Sequence, residues 1–109
     1  MPEETHYHVL KLIEKNPSIT QRQLATELGV SVGKANYCLK ALIDKGWVKA
    51  NNFKNSNKKL AYFYILTPSG LEQKTKITVN FLKRKMNDYE ALKKEIAILK
   101  DEVNNNGNN

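Results

Sequence analysis

The stretch TQRQLATELGVSVGKANYCLKALIDKGWV, residues 20–48, decides the fold. Thr20 and Gln23 stand three apart ahead of an apolar run, which is the spacing of a capping box. The Thr20 hydroxyl can accept the Gln23 backbone N–H while the Gln23 side chain reaches back to Thr20. The helix so opened carries Leu24, Ala25 and Leu28 on one face. Gly29 supplies the left-handed residue that stops it. Val30 fills the corner, and Ser31 is the next N-cap. The helix over residues 32–45 then places Ala35, Cys38, Leu39, Leu42 and Ile43 on its apolar face and ends at Gly46. Two helices joined by a short glycine-containing turn form a helix-turn-helix, and Ala25 is small enough to let them cross closely.

Outward from this pair, residues 4–15 have Val9, Leu10 and Ile13 at helical spacing, with His6 and Tyr7 one turn earlier. Asn16-Pro17 ends that helix, because the residue before proline avoids helical geometry. Downstream, residues 47–50 read as a strand, and the aromatic and β-branched run at residues 60–66 reads as its hairpin partner. Residues 51–59 between them are polar, basic and turn-forming, as expected of an exposed hairpin tip. Thr67 and Pro68 form an N-cap and first helical residue. The pattern then stays helical to Val103 without proline or glycine after Gly70. The architecture expected is mainly α with a small β-hairpin: a winged helix-turn-helix over residues 1–70, followed by a long C-terminal helix over residues 71–103 that forms a coiled coil. Residues 104–109, asparagines around one glycine, are expected to be a disordered tail.

The chain has 109 residues, which suits one small domain with an appendage, and its 40% hydrophobic content supports a thin core. No apolar run is long enough to cross a membrane. The acidic, polar start at Glu3 and Glu4 does not read as a secretory signal, so the expected location is the cytoplasm. Cys38 is the single cysteine, has no internal disulfide partner, and lies on an apolar helix face, where a buried inert thiol is expected.

The net charge is +7, and its placement says more than its size. Residues 1–30 hold three basic and four acidic side chains. Residues 31–59 hold seven lysines and one aspartate, a net +6. Residues 72–109 hold eight basic and six acidic side chains, a net +2. A concentrated basic stretch is what a polyanion-binding surface needs.

The second helix of the motif shows what that surface would use. With Ala35, Cys38, Leu39 and Leu42 inward, Gly33, Lys34, Asn36, Tyr37 and Lys40 face outward. The N-terminal part of such a helix enters the DNA major groove. Asn36 can pair bidentately with adenine. Lys34 and Lys40 can hold phosphate or guanine, and Tyr37 a phosphate or a thymine methyl. Ser31 and the helix N-terminus can bind phosphate, with Thr20 and Arg22 on the preceding helix flanking the backbone. Gly33 allows close backbone approach. In the wing, Lys54, Lys58 and Lys59 with Asn52, Asn55 and Asn57 suit phosphate or minor-groove contact. Arg22 and Arg84 are the only arginines, so readout leans towards A·T-rich sequence and groove shape.

The segments Thr20-Gln21-Arg22-Gln23-Leu24-Ala25, Leu28-Gly29-Val30-Ser31, Leu42-Ile43-Asp44-Lys45-Gly46-Trp47-Val48 and Leu66-Thr67-Pro68-Ser69-Gly70-Leu71 resemble the MarR-type winged-helix transcriptional regulators. The whole chain looks closest to the short subgroup associated with exopolysaccharide (EPS) gene clusters. The resemblance covers roughly residues 5–85 and implies a duplex-DNA-binding regulator. The chain is expected to lack the extra N-terminal dimerisation segment that many such regulators carry.

In the C-terminal helix, Tyr89 set at heptad position a puts Leu92 at d, Ile96 at a, Leu99 at d and Val103 at a, with Leu82 continuing the seam upstream and Lys85 interrupting it. Branched residues at a with leucine at d favour a parallel pair. In a parallel pair Asp88 faces Lys93 of the second copy and Glu95 faces Lys100; an antiparallel pair sets like charges together. The expectation is a homodimer through parallel C-terminal helices. The alternative is a winged-helix protein-interaction module that docks a partner through the same helix. His6 and His8 sit two apart on a helix and point to different faces, so no metal site is expected. No nucleophile, base and orienting group assemble from distinct motifs; no catalytic residue, enzyme activity or cofactor is expected, and a small-molecule effector is left open.

Overall fold

The computed structural model describes residues 3–54 and 60–107, and the side chains of residues 3–51 and 63–107. The elements run α1 (Glu3–Lys15), α2 (Gln21–Leu28), α3 (Val32–Asp44), β1 (Val48–Lys54), β2 (Leu60–Leu66) and α4 (Pro68–Gly107). By its contacts the chain divides into two units, Met1–Thr78 and Val79–Asn109. The division falls inside α4 and not after residue 70, because Gly70 and Ile77 are buried in the first unit.

The helix ends form as the local chemistry dictates. The Thr20 hydroxyl accepts from Gln23 N at 3.0 Å and the Gln23 side chain accepts from Thr20 N at 2.9 Å, so the capping box is complete. Gly29 adopts φ 69°, the left-handed region that side chains with a Cβ disfavour. Ser31 caps α3, its hydroxyl accepting from Lys34 N at 3.1 Å. At the start of α4 the Thr67 hydroxyl accepts from Gly70 N at 3.0 Å, with Pro68 as the first helical residue.

The core of the first unit gathers one face from each element. Val9, Leu10 and Ile13 of α1 meet Leu24 and Ala25 of α2 and Ala35, Cys38, Leu39 and Leu42 of α3. Each large aliphatic side chain so buried contributes about 1.5–3 kcal/mol. Val48, Tyr64 and Leu66 close the core from the hairpin, while Phe63 and Ile65 of β2 face outward, as period-two alternation requires. The hairpin is antiparallel in the register Val48↔Leu66 through Lys54↔Leu60. Pro17 O accepts from Tyr64 N at 2.9 Å, which ties the α1–α2 link to β2. Lys74 pairs with Glu14 at 3.2 Å and joins the first turns of α4 to α1.

Two expectations are corrected. β1 starts at Val48 and extends through Lys54, so Asn51, Asn52, Phe53 and Lys54 are strand and not hairpin tip. Pairing with the strongly β-forming partner strand overrides the turn preference of the two asparagines. Likewise Asn104, Asn105, Asn106 and Gly107 continue α4 in place of a disordered tail. Extending a formed helix adds a hydrogen bond per residue without a new nucleation cost.

Among the glycines, Gly70 has the least room for a side chain. A Cβ there would overlap the Trp47 carbonyl oxygen and lie 2.9 Å from its carbon. Backbone cannot move aside as a flexible side chain can. Gly70→Ala is therefore expected to lower stability by about 1–3 kcal/mol, the usual cost of overpacking, measured by urea unfolding. An unchanged urea midpoint would show that this approach is not needed.

Candidate nucleic-acid interface

With the core-facing stripe of α3 assigned, its 3.6-residue period fixes the rest. Gly33, Tyr37, Lys40 and Asp44 lie along the centre of the outward face. Val32 and Asn36 flank it on one side and Lys34 on the other. All seven are exposed, Tyr37 at 65% and Val32 at 45%. The Lys34 ammonium lies over the Tyr37 ring, 5.4 Å from its centroid. This is the i,i+3 contact that a helix permits. Among the described residues, no hydrogen bond engages the Asn36 amide. Asp44 closes the face with an acidic side chain at its C-terminal end.

The N-terminus of α3 is partly committed. Ser31 Oγ takes the Lys34 N–H, leaving the Val32 and Gly33 N–H groups and the Ser31 hydroxyl proton to face outward. Gly33 is not required by the fold. Its φ is not positive, and a Cβ there would meet only Ser31 Oγ at 4.0 Å. Thr20 and Arg22 are exposed at the start of α2. The wing residues Asn55, Asn57, Lys58 and Lys59 lie outside the described residues, as do the side chains of Asn52 and Lys54. Cys38 is buried at 1% exposure beneath this face.

Two apolar residues beside the α3 N-cap are exposed. Val30, expected to fill the corner between the helices, is 38% exposed. Val32 is exposed one residue past the cap. Valine on either side of an N-cap marks the place, but Val32 also lies on the period of the core stripe, three before Ala35 and seven before Leu39, so its exposure does not follow from spacing.

The second unit is read by itself. Leu82, Tyr89, Leu92, Ile96, Leu99 and Val103 of α4 are all exposed, between 43% and 69%. The heptad spacing thus forms an apolar stripe, with an open depression between Ile96, Leu99 and Val103.

Residues 2–49 match a family model described as winged helix-turn-helix DNA-binding. The fold is a winged helix-turn-helix. No curated protein matches the sequence. Among solved structures, MarR of Staphylococcus aureus, in complex with salicylate and kanamycin, superposes with a TM-score of 0.59 at 20% identity, covering 79% of this chain and 56% of that one. A MarR/EmrR family transcriptional regulator from Acinetobacter sp. ADP1 gives 0.62 at 20% identity, covering 93% and 72%. A mutant of Lactococcus lactis ZitR in complex with DNA gives 0.60 at 19% identity, covering 81% and 57%. The chain spans little more than half the length of the staphylococcal and lactococcal proteins.

His6 is a buried polar group that sequence reading placed on α1 without a role. It is 8% exposed, meets the Trp47 ring edge-on at 5.5 Å, and its Nε2 has no hydrogen-bond partner among the described residues. Burial, the Lys45 ammonium and the chain's N-terminus hold its pKa below that of a free histidine, opposed only by Glu3. The native state therefore keeps His6 neutral where the unfolded chain, titrating near 6.5, takes up a proton. The neutral-state advantage is present in full above pH 6.5 and is lost as the pH falls below it. Stability to urea should drop on going from pH 7.5 to pH 5.5, and His6→Leu should flatten that drop. An equal drop in the variant would assign it to other groups.

Proposed function

We propose that this protein is a transcriptional regulator of the MarR type that binds duplex DNA as a homodimer. The observation that carries the reading is the coincidence of two independent facts. Most of the chain's net charge of +7 falls in residues 31–59, which carry +6. Those same residues contain the exposed face of α3 and the strand β1. In this reading α3 enters the major groove, with Asn36 pairing to adenine and Lys34, Tyr37 and Lys40 around it. Val32 and Gly33 N–H groups with Ser31 hold a phosphate. Thr20 and Arg22 steady the adjoining backbone. Asn52, Lys54, Asn55, Asn57, Lys58 and Lys59 grip backbone or minor groove from the wing. The likeness to a DNA complex of ZitR supports the fold side of this assignment. Membership of the short exopolysaccharide-associated subgroup, a cytoplasmic location and a binding rather than catalytic role complete the proposal. No described helix is long and apolar enough to cross a membrane.

Dimerisation is assigned to Leu82, Tyr89, Leu92, Ile96, Leu99 and Val103 of α4, in parallel. The support is their exposure and the charge pattern of Asp88, Glu95, Lys93 and Lys100 beside them, all exposed. The same stripe favours the second reading, a partner protein docked on α4 with the winged helix as scaffold.

Fluorescence anisotropy with a duplex pool tests the DNA reading. Affinity should fall steeply with salt, and neutralising Lys40 or Lys58 should reduce the log–log salt slope by about one. Binding that is absent or insensitive to salt overturns it. Light scattering tests the dimer on the full chain. It should give twice the monomer mass, and Ile96→Glu with Leu99→Glu should give the monomer. A monomeric native chain would transfer the stripe to the second reading.

A further inference from the structure

We infer that the base-reading end of α3 selects A·T pairs, by packing Val32 and Tyr37 against thymine methyl groups on either side of Asn36. The inference rests on the DNA reading above and deepens it. Thymine's C5 methyl is the one apolar group that a base pair offers in the major groove. A helix that reads it needs exposed apolar side chains among polar ones, near its N-terminus. Val32 at 45% and Tyr37 at 65% exposure meet that description, and neither belongs to the core or to its packed margin. A branched residue in the first turn of a helix brings no helix propensity of its own. Val32 continues the core stripe, three before Ala35 and seven before Leu39, yet keeps 45% of its surface in solvent at the N-terminal end of α3.

The neighbours favour the same base pairs. Gly33 precedes Asn36 by three positions and Tyr37 by four, on the turn over which helical side chains lean. With no side chain at Gly33, and nothing of the protein crowding it, both residues are open to a base edge. Asn36 matches the adenine N6/N7 pair, whose partner base carries the methyl. Guanine recognition, by contrast, is poorly provided for. Neither Arg22 nor Arg84, the chain's two arginines, is on α3, and the nearest lysine, Lys34, rests its ammonium on the Tyr37 ring. Val30, 38% exposed just before the cap, extends the apolar margin toward the groove wall.

The test uses the full chain and half-site duplexes recovered by selection from a random pool. Each thymine is then replaced by deoxyuridine, which removes the methyl and nothing else. Replacement at a position facing α3 should weaken binding about fourfold per methyl, the value of one buried methylene-sized group. Val32→Ala should erase the thymine preference at one position and Tyr37→Ala at another. Tyr37→Phe should retain it, separating a ring–methyl contact from a hydroxyl–phosphate contact. Both sites are exposed, so thermal midpoints should stay near the native value. Salt-dependent binding that is equal for thymine and deoxyuridine throughout, or selected half-sites with G·C at the α3 positions, overturns the inference and leaves the DNA reading standing. No duplex binding of any kind overturns both.

Discussion

The close approach of Gly70 to the Trp47 backbone is the contact on which the first unit depends. Four elements meet there. Trp47 N donates to Leu42 O at 3.0 Å, and Trp47 O accepts from Thr67 N at 3.0 Å. The Thr67 hydroxyl donates to Gly46 O at 2.6 Å while capping α4. Lys45 lies over one side of the indole and His6 of α1 meets its edge. The end of α3, the start of β1, the start of α4 and the first turn of α1 are thereby held at one residue. Gly46, at φ 76°, turns the chain out of α3 so that Trp47 can reach this position. Because Leu42 and Val48 on either side are almost wholly buried, the hairpin leaves α3 in a defined direction, which any wing acting together with that helix requires.

Much of this was legible, because the signals were local. Thr20 with Gln23, Gly29, Ser31, and Thr67 with Pro68 each act within four residues, and each forms as read. The buried face of α3 followed from period alone. What escaped reading was tertiary. Nothing near Gly70 in sequence indicates that Trp47 lies against it. Asn51 and Asn52 carry turn preferences that a facing aromatic strand outweighs, and only the pairing reveals this. His6 sits on the same helical stripe as Val9, Leu10 and Ile13. Its position announced burial while its polarity argued for solvent, and the indole decides the outcome.

The candidate site divides in the same way. The exposure of Lys34, Asn36, Tyr37 and Lys40 follows by elimination from the core positions. That Lys34 and Tyr37 touch follows from spacing. The apolar exposure of Val30 and Val32 does not, because valine at a helix start is equally compatible with burial. Polar and apolar groups alternate over the first turns of α3. Charge alone would not provide base discrimination.

Asp44 carries a consequence for how much sequence one copy can read. Its carboxylate shares the outward face with Gly33, Tyr37 and Lys40, three turns from the cap. Under the proposed DNA reading, a carboxylate laid along a polyphosphate wall is repelled, which favours α3 entering a groove by its N-terminal end. The usable length from residue 32 to residue 40 is about 12 Å at 1.5 Å per residue. That spans roughly three or four base pairs at the 3.4 Å spacing of duplex DNA. So short a word recurs throughout any genome. In the proposed regulator, an address long enough to be rare would be spelled by two such helices at a set distance, so that pairing would serve information as well as affinity.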